Sequence, residues 1–465
     1  MTRRCLALLL ALAAGSAAAQ SEWLPARATF GYERVGLPGG ERMGLMGLSE
    51  LVEAAPGWWA GPAVYGAASG ERGGLFTWGA EVQRRWRLAP RVELGAGLYV
   101  GAGGGAAAPV GGGLMLRPHA DAWWAVAEGV GVGVSWSQVR FPSGDIRGSQ
   151  LGLMLSFDHS AHFTAPGATL GTGSGIGMRR GGVVAGLYGN ANANGSLAYV
   201  GARALWPVVD NVAATVDVLG AAAGGADGFA EITGGLLAVW PVLPQRLAFG
   251  VHGQVGLAGG GAVPTGGGSI AKASLVASVA VGGWMGTLQV GRARAFDGAF
   301  DSSFVQVGVD TAFGDERLDP LRETSLGLTV QRWPTAQRKD GTAPGITNLG
   351  FKLRREVGGP VFATASAHSA AVGKAGAFSV GLVGAGAAWK PAPGWRVGAE
   401  ATVGAAGGGG IDNGGGALAQ AGVFVERSIC RHGRIEVGAG RVKSLRGALS
   451  TNSIEVGYNV AFGLR

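Results

Sequence analysis

The chain has 465 residues, with Lys+Arg 38 against Asp+Glu 30, charged residues at only 15%, and 90 glycines. The small basic excess has no dense basic run, which argues against a nucleic-acid partner. The glycines follow no triplet period, which excludes collagen, and they alternate with Val, Leu and Phe rather than forming a polar linker.

Residues 1–19 have the order of a secretory signal peptide. Arg3 and Arg4 precede an apolar run from Leu6 to Ala14, and Ala17-Ala18-Ala19 form a small-residue cleavage site. Cleavage would leave Cys430 as the one cysteine, so no disulfide within the chain is expected. Beyond residue 19 no apolar run approaches the roughly 20 residues that a membrane helix needs.

The next segments alternate with a period of two. In Val92–Val100, one face is Val92, Leu94, Ala96, Leu98 and Val100, and the other is Glu93, Gly95, Gly97 and Tyr99. Leu247–Val255 and Val397–Val403 behave alike, and such alternation predicts strands. About eight strands are expected up to residue 158, near 28–35, 42–49, 58–67, 74–86, 91–102, 111–118, 123–140 and 149–157. Short Pro-bearing turns alternate with longer Gly- and Ser-rich loops.

The last of these strands carries a phrase that returns twice. It runs from Gln150 to Phe157, from Gln306 to Phe313 and from Glu455 to Phe462: polar, any, Gly, two of any kind, apolar or Thr, any, Phe. A Trp-x-x-x-Pro step recurs at Trp86, Trp240 and Trp389. A glycine hairpin recurs at Gly103–Gly113, Gly259–Gly268 and Gly407–Gly416, each ending in three glycines. From the first of those three to the closing Phe is 46, 47 and 48 residues. Three markers in one register divide the chain into units 20–158, 159–314 and 315–465.

The terminal phrase 455–462 (Glu455, Gly457, Val460, Phe462) resembles the closing-strand signal of bacterial outer-membrane β-barrel proteins. The resemblance is to the superfamily and to no particular family within it. It implies the bacterial outer membrane, contact with its lipid and lipopolysaccharide, and delivery by barrel-insertion machinery. The expected fold is all-β: a transmembrane antiparallel barrel of about 24 strands in three homologous eight-strand repeats.

One wide barrel and three tandem eight-stranded barrels both satisfy the hydrogen bonds. The single barrel is preferred, because a glycine-lined narrow lumen would leave voids. Its lumen would present Glu93, His252, Gln254, Glu400, Glu436, Gln306 and Asp310. It would suit a conduit for a polymer such as a polysaccharide, with a periplasmic export partner. The alternative is a non-conducting anchor built of small barrels.

Trp86, Trp240 and Trp389 are expected in a girdle at the periplasmic interface. Arg140, Arg292, Arg294, Arg441 and Lys443 end the seventh strand of each unit. They could pair with lipopolysaccharide phosphates, although solvated loop-side charges are the plainer reading. Asp158-His159-Ser160-Ala161-His162 could be read as catalytic or metal-binding, but a solvated linker is preferred. No catalytic residue, metal or cofactor is expected.

Overall fold

The computed structural model describes residues 22–163, 180–192, 195–243, 246–312, 323–430 and 432–463. The signal-peptide segment, Phe313 and Pro244 lie outside the described residues. Those residues form 24 strands, all antiparallel to their neighbours, and one short 3-10 turn at Pro38–Gly40.

The strands fall into three groups of eight. The first holds β1 (Glu22–Gly36), β2 (Arg42–Ala55), β3 (Trp58–Ser69), β4 (Phe76–Ala89), β5 (Val92–Gly104), β6 (Leu114–Ala127), β7 (Val130–Arg140) and β8 (Arg147–Phe163). The second holds β9 (Arg180–Asn192), β10 (Gly195–Val209), β11 (Val212–Ala223), β12 (Ala230–Leu243), β13 (Leu247–Gly259), β14 (Ser269–Val281), β15 (Trp284–Ala295) and β16 (Asp301–Ala312). The third holds β17 (Glu323–Trp333), β18 (Ile346–Gly358), β19 (Val361–Val372), β20 (Ser379–Trp389), β21 (Trp395–Gly407), β22 (Ala417–Ser428), β23 (Gly433–Ser444) and β24 (Ser450–Gly463).

Each group closes on itself. β8 pairs with β1 along twelve positions, from Glu22 opposite Phe163 to Glu33 opposite Gly152. β16 pairs with β9, placing Gln306 opposite Gly186. β24 pairs with β17, placing Val460 opposite Leu326. One backbone pairing, Phe462 with Phe163, links the first and third barrels. The expected single wide barrel is therefore corrected: the chain forms three eight-stranded barrels.

The void argument that favoured the wide barrel fails because the inward glycines sit beside large side chains. A Cβ on Gly97 would lie 2.5 Å from His119 Nε2, and one on Gly95 would lie 2.7 Å from Gln83 Nε2. A Cβ on Gly398 would lie 2.6 Å from the Phe424 ring. Glycine makes the room that these side chains fill, as a narrow lumen requires.

Three expected limits also move. The sixth strand does not stop at 118 but runs on to Ala127, and the seventh begins at Val130. Pro118 lies inside β6, opposite Leu98 of β5, and the pairing of β6 with β7 skips it. A proline has no N–H to give, so it imitates a strand end in sequence. The turn comes instead at Gly129, whose φ of +68° suits a residue without Cβ. At the unit boundary, β8 passes residue 158 and continues to Phe163. Asp158–His162 are thus strand residues paired with β1, not a linker.

The three barrels pack as a ring. β3 of the first barrel meets β13 and β14 of the second. β10 and β11 of the second meet β20–β22 of the third, and β18 and β19 of the third meet β4–β6 of the first. At two junctions the second and third strands of one unit face the fourth to sixth of the next; between the first and second units the third strand faces the fifth and sixth. A head-to-tail contact that closes after three steps gives a pseudo-threefold ring.

Candidate functional sites: barrel interiors, glycine loops and the outer faces

Inward-facing positions hold buried charge in every barrel. In the first, Arg117 donates to both carboxylate oxygens of Glu33 at 2.9 and 3.0 Å, and Ser137 donates to the same carboxylate at 2.6 Å. Tyr65 donates to Glu81 at 3.2 Å, and His119 Nδ1 lies 2.9 Å from Asp121. Arg27 joins Glu93, at 3.0 Å, to Asp158.

The second barrel holds two pairs. Arg203 grips Asp217 through two bonds of 2.7 and 2.6 Å. Lys272 donates to Glu231 at 2.7 Å, and Tyr188 donates to the same carboxylate at 2.6 Å. The Lys272 ammonium also lies 4.8 Å from the centre of the Phe304 ring. His252 contacts Thr215 at 2.8 Å, and Gln254 donates to Asp217 at 3.0 Å.

The third barrel is the most heavily charged. Arg354 reaches Glu400 (2.9 Å), Glu426 (3.0 Å) and Glu436 (2.9 Å), with its guanidinium 3.8 Å from the Phe424 ring centre. Lys352 donates to Glu400 at 2.8 Å and also bonds Glu455. Asn459 donates to Glu426 and Glu436 at 3.0 and 2.6 Å. Arg434 pairs with Glu323.

Toward the longer loops each interior becomes apolar. Tyr99, Met115 and Phe141 fill the first barrel there, Phe229, Ile270 and Phe300 the second, and Trp333, Phe378 and Leu418 the third. The voids that remain beside Glu33 and Arg117, and beside Lys352 and Glu436, measure about 30 and 20 Å³. Each has room for a water or so, not for a solute.

The lumen residues expected from the sequence therefore all face inward, but into three separate interiors. Glu93 belongs to the first barrel, His252, Gln254, Gln306 and Asp310 to the second, and Glu400 and Glu436 to the third. Sequence reasoning missed the cations of these interiors: Arg27, Arg117, Arg203, Lys272, Lys352 and Arg354. The signal was present. A charge alternating with apolar residues, as Lys272 does between Ala271 and Ala273, must point to the same side as its polar neighbour two residues on, Ser274. It then needs an opposite charge at inward parity elsewhere in its unit.

In the recurring phrase, the leading polar residue faces inward each time. Gln150 donates to Ser137 at 2.8 Å, Gln306 accepts from Tyr199 at 3.0 Å, and Glu455 accepts from Gln331 at 3.1 Å. A Cβ on Gly457 would lie 2.9 Å from Thr329 Cγ2, which explains the glycine. Val460 is partly exposed on its strand, and the Phe462 side chain is outside the described residues.

The glycine hairpins make the contacts between barrels. Gly73 N–H donates to the Gly266 carbonyl at 2.9 Å, and Gly376 N–H donates to the Gly111 carbonyl at 3.1 Å. At the remaining junction, Asp227 accepts from Gly415 N–H and from Lys339, both at 3.4 Å. Gly228 has φ +91°, and a Cβ there would lie 2.9 Å from Gly408 N. Backbone meets backbone with no space for side chains. Within the first of these loops Arg72 binds Glu41, whose hydrogen bonds raise the guanidinium pKa above its ordinary value.

Outward positions are apolar along nearly every strand. Leu151 and Leu153 are 74% and 70% exposed, and Leu275 is 70% exposed. Apart from Trp136 in the middle of β7, the exposed tryptophans gather at the short-turn ends: Trp23, Trp58, Trp86, Trp124, Trp240, Trp284, Trp389 and Trp395. Arg140, Arg292, Arg294, Arg441 and Lys443 are exposed at the opposite, loop end. Arg292 pairs with Asp301 at 2.6 Å, and Arg441 donates to Ser450 at 3.0 Å.

Of the histidine cluster, Asp158 is bound to Arg27, and His159 Nε2 lies 2.7 Å from Glu50. Among the described residues, no three His, Cys, Asp or Glu gather as metal ligands.

No family model matches this chain, and no curated protein matches it. Solved structures give only slight likenesses. A ferric enterobactin receptor from Pseudomonas aeruginosa has 8% identity over 96% of this chain and 82% of that one, at a TM-score of 0.29. The outer membrane protein opdK from Pseudomonas aeruginosa has 9% identity over 95% and 99%, at 0.23. OccAB3 from Acinetobacter baumannii has 9% identity over 96% and 99%, at 0.22. Likeness this slight adds nothing to the fold described above.

Proposed function

We propose that the chain is a bacterial outer-membrane protein whose three small barrels stand side by side as a non-conducting anchor. The supporting observation is that each barrel closes on itself around a lumen filled with paired, buried side chains. A lipid-facing surface accounts for the apolar outer positions, which water would leave as a large unfavourable patch. The tryptophans at the short-turn ends then lie at the periplasmic interface, and the longer loops face outward. Closure and apolar surface together leave no unpaired strand edge in lipid.

A polymer conduit needs one ring of strands wide enough for the chain it passes. The three-barrel connectivity supplies no such ring. In planar bilayers, the refolded full chain is expected to give no sustained current steps. A stable open conductance, from protein shown to be inserted, would overturn the anchor reading. On this reading, insertion machinery recognises Glu455–Phe462, and Arg140, Arg292, Arg294, Arg441 and Lys443 lie level with lipopolysaccharide phosphates.

A further inference from the structure

On the outer face of the first barrel, β7 and β8 form a ladder whose rungs change from charged to apolar. From the loop end downward, Arg140 stands opposite Arg147, Gln138 opposite Ser149, Trp136 opposite Leu151, and Val134 opposite Leu153. Each of these side chains is exposed, and Trp136, Leu151 and Leu153 reach 51%, 74% and 70%. The pairing register fixes the order, because residues opposite each other on one face of a sheet are neighbours.

The charged rung differs from its counterparts. Like charges directly opposite each other repel, and among the described residues neither Arg140 nor Arg147 has a hydrogen bond or an ion pair. Counted from the recurring phrase, the position of Arg147 is taken by Ser303 in the second barrel, opposite Arg292, and by Asn452 in the third, opposite Arg441. Arg292 is further held by Asp301 at 2.6 Å, and Arg441 donates to Asn452 at 3.3 Å and to Ser450 at 3.0 Å. Only the first barrel sets a second guanidinium against the first, and Asp145 in the turn between them bonds to neither.

Two cations, then a hydrogen-bonding pair, then an indole and leucines match, in that order, phosphate, sugar and acyl chain. We propose that this ladder is a lipopolysaccharide site. One phosphate bridges Arg140 and Arg147, accepting from both guanidiniums and offsetting their repulsion. Gln138 and Ser149 meet hydroxyl and amide groups of the sugar, and the acyl chains lie on Trp136, Leu151 and Leu153. The loop end of the barrel faces the leaflet that holds this glycolipid when the longer loops face outward. The inference rests on the membrane reading above and narrows it: of the five cations that end the seventh strands, Arg140 belongs to a built site, and Arg147 completes it.

The test measures lipopolysaccharide carried by full-length protein purified from outer membranes in mild detergent, with folding of every variant checked by heat-modifiable gel mobility. The wild type should retain lipopolysaccharide. R140Q/R147Q should retain about tenfold less, since each surface cation contributes roughly a few-fold to anionic-lipid affinity. R292Q/R294Q/R441Q/K443Q should retain as much as the wild type. Dephosphorylated lipopolysaccharide should bind the wild type no better than it binds R140Q/R147Q. Equal retention by folded R140Q/R147Q, an equal loss in the fourfold variant, or phospholipid in place of lipopolysaccharide on the wild type would overturn the site alone. Failure of the wild type to insert into vesicles would overturn the site and the membrane reading together.

Discussion

The barrel interiors and the barrels' outer faces are made by the same strands, yet they are built oppositely. The interior of the third barrel holds Arg354 among three glutamates, each bonded to its guanidinium. The outer faces carry Val82, Leu236 and Val403, which are 41%, 56% and 56% exposed. The two faces of a single strand divide this work: in β4, Glu81, Gln83 and Arg85 point in, while Val82 and Trp86 point out. Polar groups can be hidden where opposite strands of one small ring supply partners. Where the ring ends, only an apolar surface can meet lipid.

The interior should be the more sensitive of the two. Arg354→Met leaves Glu400, Glu426 and Glu436 without their shared counterion, and losing one member of a buried pair costs about 3–5 kcal/mol. Urea unfolding in detergent micelles, followed by heat-modifiable gel mobility, should show the third barrel opening first. If R354M unfolds with the wild type, the network is not structural.

Lys272→Met in the second barrel should cost a similar amount. K272M combined with Glu231→Leu should recover most of it, because replacing a whole buried pair is close to neutral. A double variant weaker than the single would contradict the pairing seen here.

The contacts between barrels should be less costly to break. Gly228→Val forces a branched side chain to φ +91°, about 1–3 kcal/mol from conformation alone, and pushes it against the Gly408 backbone. The expected result is three intact barrels that no longer hold together, visible as a wider ring by electron microscopy. A ring of unchanged width would mean that the glycine loops do not set the packing.

The outer surface should matter least. Gln at Arg140, Arg292, Arg294, Arg441 and Lys443 should lower the lipopolysaccharide retained through purification while leaving unfolding unchanged. Undiminished retention would return these residues to ordinary solvated charges.

Much of this was legible in the residues. Alternation in Val92–Val100 set both the strand and its two faces, since Leu94 and Leu98 are exposed and Tyr99 is buried as parity requires. The inward set was readable for the same reason, down to His252 and Glu436. Pro118 misled because a missing donor has the same appearance at a strand end and inside a strand that skips two pairings. Asp158–His162 misled because polar residues at a strand's end resemble a linker until their partners are known: Arg27 inside the barrel for Asp158, and Glu50 on the outer face for His159.

Strand positions, facing and the threefold repeat follow from local chemistry, because parity and turn residues act over a few neighbours. What β8 pairs with is another matter. Its ladder can be completed equally by β1 or by β9, and the backbone bonds are alike in either case. The choice falls to the lumen: Glu33 on β1 meets Arg117 on β6, and Glu323 on β17 meets Arg434 on β23, across rings only eight strands wide. Those distances, and the backbone contact of Gly73 with Gly266, exist only once the chain has closed.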